Sequence, residues 1–189
     1  MLNRLYIVVG VLAILALAAA FVVPSFIQWG DYRDRLADIA GEVLGAPVRI
    51  EGDVNFTLLP QPRLEFAGVS AGPADAPNLT VDSVVAEFSL IDFLRDRYTI
   101  TELVLTRPHI EVTVGSDSSV DAGIALARSV SASNISVANA TIAGGEIRIR
   151  DNRSGEAYLA TGITGDLRLD ALRGPFSFAG SGTVDGEAY

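Results

Sequence analysis

The chain has 189 residues, of which 49% are apolar, and its formal net charge is −9. This length and composition suit one domain with its own core and exclude a disordered or fibrous chain. The negative charge argues against nucleic acid as a partner, because binding to phosphate backbones depends on basic surfaces. Because cysteine is absent, a disulfide scaffold, a thiolate metal site and a cysteine nucleophile are also excluded.

The first element is an uncharged apolar run from Leu5 to Val23. A helix of this length would be about 28 Å long, close to the hydrocarbon thickness of a bilayer. We predict a cytoplasmic tail at 1–4 and a transmembrane anchor at 5–24, with the bulk of the chain outside the cytoplasm. The alternative is a cleaved signal peptide, because Arg4 precedes the run and three alanines near its end resemble a cleavage site. Signal peptides have apolar regions of about 7 to 15 residues, which favours a retained anchor.

The next segment, 25–46, is predicted to form a juxtamembrane amphipathic helix. Trp29 and Tyr32 closely follow the apolar run, where aromatic rings favour the headgroup level, so both are predicted membrane-interface residues. Asp31 is the predicted N-cap, and Gly45 is the predicted residue just past the end of the helix. Apolar side chains recur at helical spacing on one face: Tyr32, Leu36, Ile39, Val43 and Leu44.

From Pro47 the period of the pattern changes to two, in "PVRIEGDVNFTLLPQPRLEF". This alternation predicts a β-strand with one apolar and one polar face, bent or bulged at Gly52. Pro60 and Pro62 interrupt the strand before it resumes. The predicted apolar face consists of Val48, Ile50, Val54, Phe56, Leu58, Leu64 and Phe66.

Short alternating segments continue to the end of the chain and predict about eight to ten strands. They include strands at 79–90, 100–106 and 109–114, with one helical turn within 91–98. No long helical segment separates the strands, so the predicted fold is α+β with β dominant, a twisted and mostly antiparallel sheet over 47–189. The pair Asp185-Gly186 predicts a hairpin turn close to the last residue, and we expect the chain to be the N-terminal piece of a longer protein.

Motifs typical of zinc proteases, serine hydrolases and phosphate-binding loops do not occur in the sequence. His109 is the only histidine, and its alternation with Ile110 places it on a polar strand face. We therefore predict no catalytic, cofactor-binding or metal site, and we expect that the protein is not an enzyme.

The apolar strand faces need a cover. Eight strands spaced by about 4.8 Å would form a sheet about 38 Å wide, whereas one helix is about 10 Å across. Three arrangements stay open: the sheet folds over on itself as a sandwich, further C-terminal sequence covers it, or the face is a groove for an apolar ligand.

Several stretches resemble the AsmA family of Gram-negative bacteria: "YRDRLADIAGEVLG" followed by "PVRIEGDVNFTLLPQP", then "ITELVLTRPHIEV" and "GPFSFAGSGTVDG". The resemblance covers nearly the whole chain, although "GSDSSVDAG" departs from a turn that the family often carries. It implies a single-pass inner-membrane protein with its bulk in the periplasm and a role in outer-envelope biogenesis. It also implies a sheet shaped as a β-gutter, groove or half-barrel.

Two functions follow as hypotheses. In the first, the apolar face of 47–66, formed by the seven residues named above from Val48 to Phe66, is the base of a groove that holds or conducts phospholipid. In the second, the sheet binds protein partners by strand addition and regulates the assembly or targeting of outer-membrane proteins.

Overall fold

The computed structural model describes residues 2–26, 29–95, 97–117, 119–123, 135–169 and 176–189. Within these ranges the chain forms one twelve-stranded sheet with helices before its first strand and beside its fourth and fifth strands. The predicted β-dominant α+β fold is therefore confirmed.

The helices are α1 at Leu2–Phe26, α2 at Arg33–Leu44 and the single turn α3 at Leu90–Phe93, with a 3-10 turn at Trp29–Tyr32. Gly45 follows α2 with φ of 64°, in the left-handed region that glycine tolerates best, as predicted. The predicted N-cap was wrong: Asp31 lies inside the 3-10 turn, and Tyr32 occupies the cap position without a side-chain cap bond.

The apolar run predicted as an anchor folds into α1. Large apolar side chains from Tyr6 to Leu17 are 50% to 69% exposed, and they include consecutive residues, so every side of the helix is apolar and uncovered there. Within the described ranges, no helix is both long enough and apolar enough to cross a membrane. The transmembrane role of 5–24 stays a prediction.

The strands follow from residue 48 to residue 188, and more of them occur than predicted because several predicted strands are interrupted. The predicted bend at Gly52 is confirmed, since it separates β1 from β2. The strands are β1 Val48–Ile50, β2 Val54–Thr57, β3 Arg63–Ala71, β4 Leu79–Phe88, β5 Tyr98–Thr106, β6 His109–Val114, β7 Val120–Asp121, β8 Ile135–Val137, β9 Asn139–Asp151, β10 Ala157–Leu169, β11 Phe176–Val184 and β12 Glu187–Ala188.

The order across the sheet is β1-β3-β4-β5-β9-β10-β11-β12. β2 pairs with β3 beside β1, β6 continues the line of β5, and β8 precedes β9 along β5. Neighbouring strands are antiparallel, as predicted, except that β8 and β9 run parallel to β5 and β6 in the middle of the sheet. The sheet is therefore mixed. Part of the crossover that this parallel pairing requires, 124–134, lies outside the described residues.

A line of irregular backbone crosses the sheet near the middle of its strands. Positive φ angles occur at Gly68 in β3, Arg107 between β5 and β6, Gly144 in β9 and Gly162 in β10, between 47° and 69°. Arg107 connects β9 with β4. Its amide donates to the Ala143 carbonyl of β9 at 2.8 Å, and its guanidinium pairs with Asp82 of β4. Bulges of this kind bend a strand and shift its alternation by one residue. The apolar residues on both sides of the line can therefore face the same way.

Candidate functional site: the apolar face of the sheet

Two rows of directly opposed residues run across seven strands, from β2 to β11. Opposed residues in a sheet share a face, so each row forms a strip on one side. The first row is Phe56, Leu64, Ala86, Leu103, Ala140, Leu167 and Phe178. The second row is Val54, Phe66, Val84, Leu105, Ile142, Gly165 and Gly180. At about 4.8 Å per strand, each row is about 29 Å long.

A third apolar row lies beyond the line of bulges. It consists of Val48, Ala71, Leu79, Ile110, Ile147, Ala160 and Val184. Val48 of this row and Phe66 of the second row both pack against the same buried cluster. The three rows therefore belong to one surface, which we call the apolar face.

The opposite face of the sheet is mainly polar and carries ion pairs. One of its rows is Arg49, Ser70, Thr80, His109 and Glu146. The Nδ1 atom of His109 lies 3.1 Å from a carboxylate oxygen of Glu146, and Arg148 lies 3.3 Å from the same oxygen. Another ion pair joins Arg63 to Glu65 at 2.6 Å. The predicted position of His109 on a polar strand face is thus confirmed.

At one side of the sheet, α2 covers the apolar face. Ala37 of α2 forms a buried cluster with Ile50 and Val54, whose exposures are 7% and 5%. We call this part of the face, on β1 to β3, the helix-covered region. Gly52, between β1 and β2, lets the backbone lie close to β3, because a Cβ at this position would lie 2.7 Å from the Cβ of Ala67 in β3.

The structure brings most of the seven predicted groove residues into the helix-covered region. Their contact with lipid stays a prediction. Phe56 lies beside Phe93 of α3, with ring centroids 6.0 Å apart, and Leu58 is half-buried just past β2. The other five belong to the core beneath α2: Val48, Ile50, Val54, Leu64 and Phe66.

At the other side of the sheet, the same rows are more exposed. Phe178 and Val184 of β11 are 49% and 38% exposed, and Tyr158 of β10 is 42% exposed. We call this part of the face, on β9 to β11, the far region. Gly165 and Gly180 lie opposite each other there, and a Cβ on either would meet the Phe178 ring within 3 Å. The ring of Phe178 therefore covers a glycine pair that has no side chains of its own.

The residues of the apolar face beyond β3 were not among the candidates named from the sequence. Leu103 and Leu105 of β5, Ile142 of β9 and Leu167 of β10 are all half-buried in the two long rows. The alternation that indicates Leu103, Leu105 and Leu167 is present in "ITELVLT" and "GDLRL". The alternation does not show how the strands pair, and it is this pairing that places these residues in line with Phe56 and Val54.

Ionisable groups with a shifted pKa lie outside the three apolar rows, and one of them, Tyr158, is in the far region, where its hydrogen bond to Glu156 raises the pKa of the Tyr158 hydroxyl. The guanidinium of Arg153 and its backbone N–H both donate to Asp151, and they lower the pKa of that carboxyl to about 2. A hydrogen bond from Arg97 likewise lowers the pKa of Asp92 in α3. Among the described residues, no three histidine, aspartate or glutamate side chains are grouped to hold a metal ion. The three rows themselves consist of apolar side chains and glycines, so they present an apolar surface.

The predicted membrane-interface residues form the two ends of the 3-10 turn. Tyr32 is 49% exposed. The turn contacts both α2 and β2, while α1 also contacts β2. The chain therefore passes from α1 into the rest of the protein directly beside the helix-covered region.

These features define a class of protein: one sheet with an apolar and a polar face, joined at one side to an exposed apolar helix. The chain belongs to the AsmA family, whose sequence model matches residues 1–188. The resemblance that the sequence indicated is therefore confirmed. No curated protein and no solved structure matches the chain.

Proposed function

We propose that this protein holds phospholipid against the apolar face and passes it along that face between the inner and outer membranes. Membership of the AsmA family supports a function related to the cell envelope in general. The observation that carries the finer proposal is the continuity of the apolar rows across seven strands, from Val54 and Phe56 to Gly180 and Phe178.

The physics of such a surface suits acyl chains. Each methylene removed from water contributes about 0.8 kcal/mol, and the contribution does not depend on direction. The rows offer apolar contacts from strand to strand, with the Phe178 ring covering the Gly165–Gly180 pair, so an acyl chain could move along them without leaving an unsatisfied polar group. Because the polar groups lie on the opposite face, the apolar rows present few partners that would fix one headgroup in place.

The same proposal places α1 in the lipid of the inner membrane, with the sheet in the periplasm. Support comes from the exposed apolar side chains on all sides of α1. A helix that is apolar all round is stable only where apolar surroundings cover it. Since α1 contacts β2, the helix-covered region would be the part of the face closest to the membrane.

Neighbouring residues of β5 provide a matched test of the lipid proposal. Leu105 lies in the second apolar row, whereas Val104 lies on the other face, opposite Val85 and Thr141, and both are half-buried. We expect Leu105→Glu to reduce co-purifying phospholipid several-fold, because its charge would lie within the acyl-chain path. Val104→Glu should retain the wild-type amount.

The measurement is lipid extraction and quantitative mass spectrometry of protein purified in a mild detergent. Circular dichroism of both variants establishes that each remains folded. Wild-type phospholipid stoichiometry in a folded Leu105→Glu protein would contradict the proposal.

A second candidate is the binding of a protein partner, such as an outer-membrane assembly protein, by strand addition. One observation favours it: β12 pairs only with Thr183 and Val184, and no other described strand pairs with the outer edge of β11. An unpaired edge offers backbone groups to an incoming strand. A photo-crosslinking residue at Ala179 on β11 should then capture a protein at a defined mass, and the absence of any adduct in intact cells would count against this candidate.

A further inference from the structure

The turn α3 exposes two large apolar side chains. Ile91 is 63% exposed and Leu94, directly after the helix, is 74% exposed. Phe93 between them faces inward, since its ring lies 6.0 Å from that of Phe56 and 6.3 Å from that of Phe88. One short turn thus uses an aromatic residue to fix itself to the sheet and presents aliphatic residues outward.

The turn is held in one conformation by local bonds. The Ser89 hydroxyl accepts a hydrogen bond from the Asp92 amide at 3.4 Å, which caps the start of α3. Arg97 donates to the Asp92 carboxylate at 2.6 Å, and its amide donates to the Asp92 carbonyl at 2.9 Å. The exposed position of Ile91 and Leu94 is therefore supported by the surrounding structure.

The location of α3 gives these side chains a specific neighbour. The strand β2 contacts α1 and the 3-10 turn, and Phe56 of the same strand contacts Phe93 of α3. Consequently α3 lies at the end of the sheet from which α1 leaves. Arg95, which is exposed next to Leu94, adds a positive charge suited to lipid phosphate.

We propose that α3 is a second membrane contact, in which Ile91 and Leu94 enter the boundary between headgroups and acyl chains while Arg95 lies at the phosphate level. The inference rests on the anchoring of α1 in lipid proposed above. With two contacts, the sheet would stand with its α3 end on the membrane, and the opposite end would point away from it.

Single cysteines provide the test, because the natural chain has none. The full chain, reconstituted in phosphatidylcholine vesicles, would carry an environment-sensitive dye at Leu94→Cys, at Leu12→Cys in α1 or at Val120→Cys in β7. Val120 is a matched control, since it is 71% exposed and pairs with Val114 at the other end of the β5 and β6 line. That line is up to about 50 Å long at about 3.3 Å per residue. Vesicle lipids that carry a quencher near the headgroup would reduce the fluorescence of the dye wherever the labelled residue contacts the membrane surface.

We expect strong quenching at Leu94, several times that at Val120, and quenching at Leu12 by lipids labelled deeper in the acyl chain. Quenching at Leu12 without quenching at Leu94 would overturn the inference and leave the anchoring intact. An absence of quenching at Leu12 would overturn the anchoring and this inference together. Equal quenching at Leu94 and Val120 would also contradict it, because the sheet would then lie flat on the membrane.

Discussion

The helix-covered region and the far region are built from the same rows of residues, yet their surroundings differ. Beneath α2, Ile50 and Val54 are buried, whereas at the other side of the sheet Phe178 and Val184 are 49% and 38% exposed. Continuity of side-chain chemistry across a sheet therefore does not give every position the same role. The part under the helix stabilises the fold, and the far part is the better candidate for binding acyl chains.

The largest expected difference between the regions is in stability. Ile50→Ala should lower the free energy of unfolding by about 2 to 5 kcal/mol, because the residue is 7% exposed and packs beside Ala37. Phe178→Ala should cost about 1 kcal/mol, since about half of the ring is already exposed.

Urea unfolding in the same detergent, followed by circular dichroism, measures both values. Equal costs at Ile50 and Phe178 would show that the far region is also part of a closed core.

A smaller effect on the free energy of unfolding is expected along the line of bulges, which crosses both regions. Gly68 and Gly162 have φ of 61° and 62°, and a Cβ would have room at both positions. Alanine at either should therefore cost about 1 to 2 kcal/mol through backbone strain alone. Gly162→Asn should cost less, because asparagine tolerates left-handed backbone better than alanine does.

The same unfolding measurement tests this prediction. A negligible cost of Gly162→Ala, with the full cost at Gly68→Ala, would mean that the bend is required only beneath α2.

The smallest effect is electrostatic and local to the end of β9. Hydrogen bonds from Arg153 hold the pKa of Asp151 at about 2, below its value of about 3.9 in an unfolded chain. The folded carboxylate therefore adds stability above pH ~3.9, and this contribution is lost as the pH falls through the folded pKa. We expect Arg153→Gln to raise the pKa of Asp151 towards its ordinary value in a carboxyl NMR titration.

Arg150→Gln is the matched control, since Arg150 is a neighbouring arginine that does not contribute to the lowered pKa of Asp151. A shift of the same size in both variants would attribute the effect to general charge rather than to the bond from Arg153.

Local features were predictable from the sequence because they depend on nearby residues. The change of period at Pro47 predicted β1 and β2, Gly52 marked their interruption, and spacing within 91–98 indicated the turn α3. The hairpin at Asp185-Gly186 was also predicted, and the structure gives both residues positive φ.

Pairing over long distances could not be predicted in the same way. Alternation shows which face a residue occupies but not which strand lies beside it. The parallel contact of Leu103 with Ala140 joins segments far apart in the chain, and it brings the two halves of the apolar face together. The packing of Ala37 on Ile50 and Val54 is likewise non-local. For this reason the sequence did not indicate the helix that covers most of the predicted groove residues, although six of the seven, all except Leu58, lie on the apolar face.

The central claim is that acyl chains occupy the apolar face beyond α2, and adjacent residues of β9 allow the most direct measurement. Ile142 lies in the second apolar row, whereas Thr141 is on the polar face, with its hydroxyl 3.0 Å from Asp166. A photo-crosslinking residue at each position, activated in intact cells, would be followed by mass spectrometry of the purified chain. We predict phospholipid adducts at 142 and none at 141. Equal adducts at both positions, or none at 142, would contradict the account.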